Sequence, residues 1–297
     1  MSKVFITGAN GLLGQQLVEV FSQKHQILAS DLQSDPFFTH PDVKYESLDI
    51  LEKEKLKTLI SSFKPELIVN AAAYTDVDGC ETNTEKAREV NVQGVENLIE
   101  VCKKEKMKLI HISTDYVFNG KSGPYSEDDP PNPISYYGKS KLEGELKIKE
   151  SGIDSIIVRT NVLYGLGEKI NPNFFTWVLN KLKKEEKIKI VTDQLNNPTL
   201  ADDLASAILE LWEKKFTGLI NISGSEYLSR YDFARKIAEE FDLKKDLIYP
   251  IKTQDLKQKA PRPYKGGLKI ELANRILDTR LSDISQGLEH LKKKMKF

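Results

Sequence analysis

The chain has 297 residues, enough for one large core or two interlocked lobes. Its 44 lysines and arginines balance 44 aspartates and glutamates, and that zero net charge argues against an electrostatic nucleic-acid binder. No apolar run approaches the roughly 18 residues of a membrane span, and Cys80 and Cys102 show no disulfide or metal-ligand spacing, so a soluble protein of the reducing cytoplasm is expected.

In chain order, residues 4–6 read as a strand, 12–21 as a helix and 26–30 as a second strand. A helix over 51–63, a strand over 67–69, a long helix over 82–105 and a strand over 109–112 follow. Beyond a loop with Pro130, Pro131 and Pro133 come a helix over 134–150 and a strand over 155–158. Short β-branched runs, apolar on both faces and alternating with amphipathic helices, predict a Rossmann-type doubly wound parallel sheet. The pattern loosens after Tyr164: helices over 171–184, 200–214 and 231–241 and strands over 188–191 and 218–222. The expected organisation is a Rossmann domain over 1–165, rejoined by 199–221, and a smaller substrate-binding lobe over most of 166–297. Lys292, Lys293, Lys294 and Lys296 read as a solvated helix end.

The first strand runs into Gly8-Ala9-Asn10-Gly11-Leu12-Leu13-Gly14 and then the first helix. Residues without Cβ allow a tight turn and a close approach to a pyrophosphate, which meets the free N–H groups of the helix start. Asp31 ends the second strand, where a carboxylate accepts from adenosine ribose hydroxyls and repels a 2′-phosphate. No arginine precedes Arg88, so NADH is favoured over NADPH. Asp49 and Ile50 fall where an adenine amine could be met, although Asp49 is equally a helix cap. Ala71, Ala72 and Ala73 follow the strand over 67–69, and small residues there let a ligand lie close to the sheet.

Tyr137 and Lys141 are four apart on a predicted helix and share a face. An adjacent ammonium is expected to lower the phenol from its ordinary value of about 10 and make it an acid/base. Thr114, in Ser113-Thr114-Asp115-Tyr116-Val117-Phe118, brings a hydroxyl to a strand's C-terminal edge, where it can hydrogen-bond a carbonyl oxygen gaining negative charge. Tyr137 would protonate that oxygen as hydride reaches the carbon. Thr114 is alternatively a turn cap, and Tyr137 with Lys141 an exposed helix pair.

These motifs resemble those of the extended short-chain dehydrogenase/reductases, and within them the dTDP-4-dehydrorhamnose reductase family. The similarity covers the glycine turn, 70–78, 113–118, 137–145, Arg159-Thr160, Tyr164-Gly165, Asp193-Gln194, Asn197-Pro198-Thr199 and Arg262-Pro263. The resemblance implies reduction of the 4-keto group of a dTDP-4-dehydro-6-deoxy sugar to give dTDP-L-rhamnose, with NADH or NADPH as cofactor. It implies Thr114, Tyr137 and Lys141 as the catalytic set, with Lys141 also holding the nicotinamide ribose, and sugar contacts from Thr114 and Asp115, to which Tyr116 and Tyr137 are added; Asp193, Gln194, Asn197 and Arg262 are the candidates from the second lobe, each alternatively an ordinary loop residue. It also points to a homodimer through the helices over 82–105 and 134–150. The chain departs from the family where Asn161-Val162-Leu163 replaces a Trp-bearing stretch that packs on the sugar. Gln15 and Gln16 stand near where some members place a magnesium ligand, so no metal is expected. Other readings are an epimerase or 4,6-dehydratase on the same scaffold, or a non-catalytic regulatory subunit. Asp115-Tyr116 lacks the second carboxyl of a dehydratase's Asp-Glu pair.

Overall fold

The computed structural model describes residues 1–295; Lys296 of the terminal lysine cluster lies outside them. Six strands come first: β1 (Lys3–Thr7), β2 (Gln26–Asp31), β3 (Lys44–Ser47), β4 (Leu67–Asn70), β5 (Lys108–Thr114) and β6 (Ser155–Thr160). With Gly218–Asn221 they form a seven-stranded sheet in the order 218–221, β6, β5, β4, β1, β2, β3, parallel throughout. β1 lies between β2 and β4, so the chain order reverses there and opens a crevice beyond the strands' C-terminal ends.

Period-two alternation decides which face each strand residue covers. Val4 and Ile6 pack with α1 (Leu12–Ser22) and α8 (Ala201–Glu213) on one side. Phe5 packs with α2 (Lys53–Phe63), α5 (Gly94–Glu105) and α6 (Tyr136–Ser151) on the other. The expected helix over 82–105 is subdivided. α3 (Val77–Thr82) and α4 (Thr84–Arg88) precede a widened π turn at Glu89–Gln93 and then α5. The caps of Asp76 and Asn83, which accept from Gly79 N and Lys86 N, mark the first two starts.

A second core gathers Tyr164, from the short strand Leu163–Tyr164, with Phe175, Phe233 and Leu288 from α7 (Phe174–Lys183), α9 (Arg230–Glu240) and α11 (Ile284–Lys294). Strand Ile188–Val191, paired with Ile248–Ile251, adds Ile188 and Ile190. α10 (Glu271–Ile276) returns to the first core through Ala273. α11 was not foreseen beyond its lysines; Asp283 caps it, accepting from Gln286 N. Among the described residues no helix is long and apolar enough to cross a membrane.

Candidate active site

A cleft of about 980 Å³ opens at the C-terminal ends of β1, β2, β4 and β5. Its lining includes Gly8, Gly11, Leu12, Leu13 and Gly14, then Asp31, Asp49 and Ile50, then Ala71, Ala72 and Ala73, and finally Thr114, Tyr137 and Lys141. Gly8 sits at φ 69°, and a Cβ there would meet Ala72 N at 2.6 Å. A Cβ on Gly14 would meet Gly8 O at 2.0 Å, so α1 packs directly onto the turn. α1 starts at Gly11 with no side-chain cap and no acidic residue in its first turn, which leaves a positive helix end facing the cleft. Gly14→Ala should therefore cost about 1–3 kcal/mol of stability by overpacking and weaken dinucleotide binding; thermal unfolding and a fluorescence titration with NADH check both.

Asp31 is locked in place: Oδ2 accepts from Asn10 N at 2.9 Å and Oδ1 from Leu32 N at 2.7 Å. Each oxygen keeps a lone pair for a ribose hydroxyl. The glycine turn, open helix end and fixed carboxylate fit a dinucleotide. Asp49 lines the cleft, but it is not the expected helix cap: α2 begins at Lys53 after Glu52, and Asp49, accepting from Leu51 N at 2.9 Å, closes the turn before it. Asn10 does not reach the cleft. Its amide donates to Gln33, Asp35 O and Tyr45 and accepts from Phe37 N, so it shapes the loop after β2. Gln15 and Gln16 tie α1 to the backbone at Glu168 and Leu166.

The chemical end is built by β5 and α6. Thr114 ends β5, and its hydroxyl accepts from Tyr116 N at 3.2 Å, so it caps a turn and lines the cleft at once. Ser135 caps α6 by accepting from Gly138 N at 3.2 Å, which sets Tyr137 in the first turn. The Tyr116 ring meets Tyr137 edge-on at 5.6 Å. The expected lowering of the Tyr137 phenol by Lys141 is overturned. Burial raises it, against a hydrogen bond from Thr114, and the Lys141 charge is not among the leading influences. The reason is geometric: Lys141 Nζ is held by the backbone of β5, donating to Ile112 O at 2.7 Å. Burial in turn pushes Lys141 down to about 8, and Glu145 works against that.

The remaining sugar-side candidates lie outside this cleft's lining. Asp115 is buried; its carboxyl accepts from Gly267 N at 3.1 Å, and burial pushes it up to about 6. Asn197 is spent on structure. It donates to Ser223, Gly224 O and Leu268 O and accepts from Asn161 and from Leu268 N, which leaves no free group for a sugar. Arg262 pairs with Asp78 at 3.1 Å and donates to Ala260 O. Asp193 holds Thr253. Sequence reasoning missed His111, fully buried between Asn70 and Lys141, and Glu145, which joins Ser113 to Arg159. A histidine inside an otherwise apolar strand was the available signal.

The family model described as "RmlD substrate binding domain" matches residues 2–297. The dTDP-4-dehydrorhamnose reductase of Aggregatibacter actinomycetemcomitans is 34% identical over 98% of this chain and 99% of its own length. The chain belongs to the dTDP-4-dehydrorhamnose reductase family. It is thereby an NAD(P)-dependent oxidoreductase. The crystal structure of a family member from Bacillus anthracis, in complex with NADP, superimposes with a TM-score of 0.89 at 31% identity, covering 99% of each chain. Methionine adenosyltransferase 2 subunit beta of Xenopus laevis is also similar, 33% identical over 88% of this chain and 78% of its own.

Proposed function

We propose that the protein reduces the 4-keto group of a dTDP-4-dehydro-6-deoxy sugar, dTDP-4-dehydrorhamnose to dTDP-L-rhamnose, with Tyr137 as proton donor. The observation that carries this reading is that Thr114, Tyr137 and Lys141 line one cleft with the glycine turn. The bound nicotinamide cofactor would supply the hydride. Thr114 orients the ketone oxygen by hydrogen bonding. Tyr137, kept protonated by its burial, delivers its proton to that oxygen. Gly8, Gly11 and the start of α1 hold the pyrophosphate, Asp31 the adenosine ribose and Asp49 with Ile50 the adenine end. Asp115 and Tyr116, on the turn that follows Thr114, would bound the sugar side from outside the cleft's lining.

A panel of dTDP-4-keto-6-deoxy sugars assayed with NADH and with NADPH tests this reading. The expected result is reduction of dTDP-4-dehydrorhamnose, with a higher kcat/KM for NADH because Asp31 repels a 2′-phosphate. A strong NADPH preference would refute the role given to Asp31. Dinucleotide binding without reduction of any ketosugar would overturn this substrate assignment.

A further inference from the structure

Between Thr7 and Lys141 at the cleft wall runs a buried line of hydrogen bonds through Asn70 and His111, two residues that the proposed reduction leaves unused. The Thr7 hydroxyl donates to Asn70 Oδ1 at 2.7 Å, and Ala72 N donates to the same oxygen at 3.3 Å. Those two donors fix the amide, so Asn70 Nδ2 is the atom 3.0 Å from His111 Nδ1. An amide nitrogen only donates. His111 Nδ1 is therefore the bare ring nitrogen and Nε2 carries the proton. Nε2 lies 3.2 Å from Lys141 Nζ, which also donates to Ile112 O. Thr7, Asn70, His111 and Lys141 are all at most 2% exposed.

We infer that His111 is a positioning residue for this reduction: its tautomer, set from Asn70, turns an N–H toward Lys141 Nζ, fixing where that amine sits and how readily it gives up its proton. The inference rests on the reductase reading for its catalytic consequence, not for its geometry. An N–H facing an ammonium opposes it, whereas the same N–H facing a neutral amine makes a hydrogen bond. The ring itself stays neutral, because burial and the Lys141 charge hold its pKa well below the ordinary histidine value. Few other charges face this line. Glu145, on the same helix, is tied to Arg159 of β6. Asp115 and Tyr116 on the turn after β5 and Cys80 on α3 bear on Tyr137. The ion pairs Arg88–Glu143 and Lys147–Glu96, between α6 and the preceding helices, are solvent-exposed or half-exposed. His111 is thus the polar side chain that meets Nζ directly.

The test is nitrogen-15 NMR of the full-length protein, together with the carbon-13 titration of Lys141 Cε and the pH profile of kcat/KM. The chain has 4 histidines, so the His111 signals are assigned by their loss in His111→Leu, and those of Lys141 by their loss in Lys141→Met. The wild type should show bare Nδ1 and protonated Nε2. Asn70→Asp replaces the donor on Nδ1 with an acceptor and reverses the tautomer, so Nε2 then accepts from the ammonium. The Lys141 midpoint and the alkaline limb of kcat/KM should both rise by about one pH unit or more. His111→Leu, which removes the opposing N–H, should shift them the same way; Asn70→Asp carries the test if that variant does not fold. A protonated Nδ1 in the wild type, or an unmoved Lys141 midpoint in the variants that fold, overturns the inference. A protein with the expected tautomer and titration that reduces no dTDP-ketosugar sinks the reductase reading and leaves the coupling of His111 to Lys141 standing.

Discussion

Replacing Tyr137 with Phe should lower kcat for ketosugar reduction by about 10²–10⁴-fold, the range for loss of a general acid. KM should change little, because the variant keeps the ring against Tyr116 and removes only the hydroxyl. NADH affinity, read by fluorescence, should be unchanged, since the glycine turn and the start of α1 are untouched. In the wild type burial keeps the phenol protonated across the working range, so Tyr137 adds no limb of its own near neutrality. Lys141 does. Its pKa is pushed down to about 8, so it is an ammonium below that pH and a neutral amine above it. If the ammonium supports the proton transfer, kcat/KM falls as pH rises through about 8. Near-normal turnover in Tyr137→Phe would remove Tyr137 as the proton source.

The sequence pattern carried the strands of the sheet because they are apolar on both faces, and only a doubly covered parallel sheet makes that profitable. Gly218–Asn221 was read as a strand but not as the sheet's edge beside β6; pairing at a separation of some 60 residues leaves no local mark. β3 escaped because Lys44-Tyr45-Glu46-Ser47 is a half-exposed edge strand with charged residues, as edges tend to be. The π turn at Glu89–Gln93 was invisible for a different reason: its apolar spacing passes for ordinary helix. Within the site, residues named by chemistry at a strand end or helix start were brought together, as with Thr114, Tyr137 and the glycine turn. Residues named only by position in a family motif fared differently. Asn197 spends its amide on Asn161, Ser223, Gly224 and Leu268, and Arg262 pairs through Nη1 with Asp78 on α3, partners 26 or more residues away that no local pattern reveals. The direction of the Tyr137 shift was misread because spacing puts Lys141 on the right face but does not say where its flexible amine ends. The buried acceptor at Ile112 O decides that.

Glu145→Ala should destabilise the protein by about 3–5 kcal/mol, the cost of leaving a buried charge without its partner. Glu145 is fully buried and accepts from Arg159 Nε at 2.9 Å, from Arg159 Nη2 at 2.7 Å and from the Ser113 hydroxyl at 2.5 Å. One carboxylate therefore joins α6, β5 and β6 immediately below Thr114 and Lys141. The guanidinium left behind could not reach water, and its face is already stacked on Phe118 at 5.1 Å. Denaturant unfolding measures the loss. Removing both charges, as in Glu145→Leu with Arg159→Met, should recover most of it, because a buried pair holds a large penalty for separation and a small net contribution when intact. If Glu145→Ala costs less than about 1 kcal/mol, the pair is not what ties the three elements together. The same variant also reports on the site. Glu145 is the charge that works against burial at Lys141, so its loss should push that amine further down and move the alkaline fall of kcat/KM to lower pH. That displacement is opposite in sign to the one expected for His111→Leu and Asn70→Asp. Charge behind Lys141 and the N–H in front of it would then act on the amine in opposite directions, and the two shifts together identify Lys141 as the group that sets the limb.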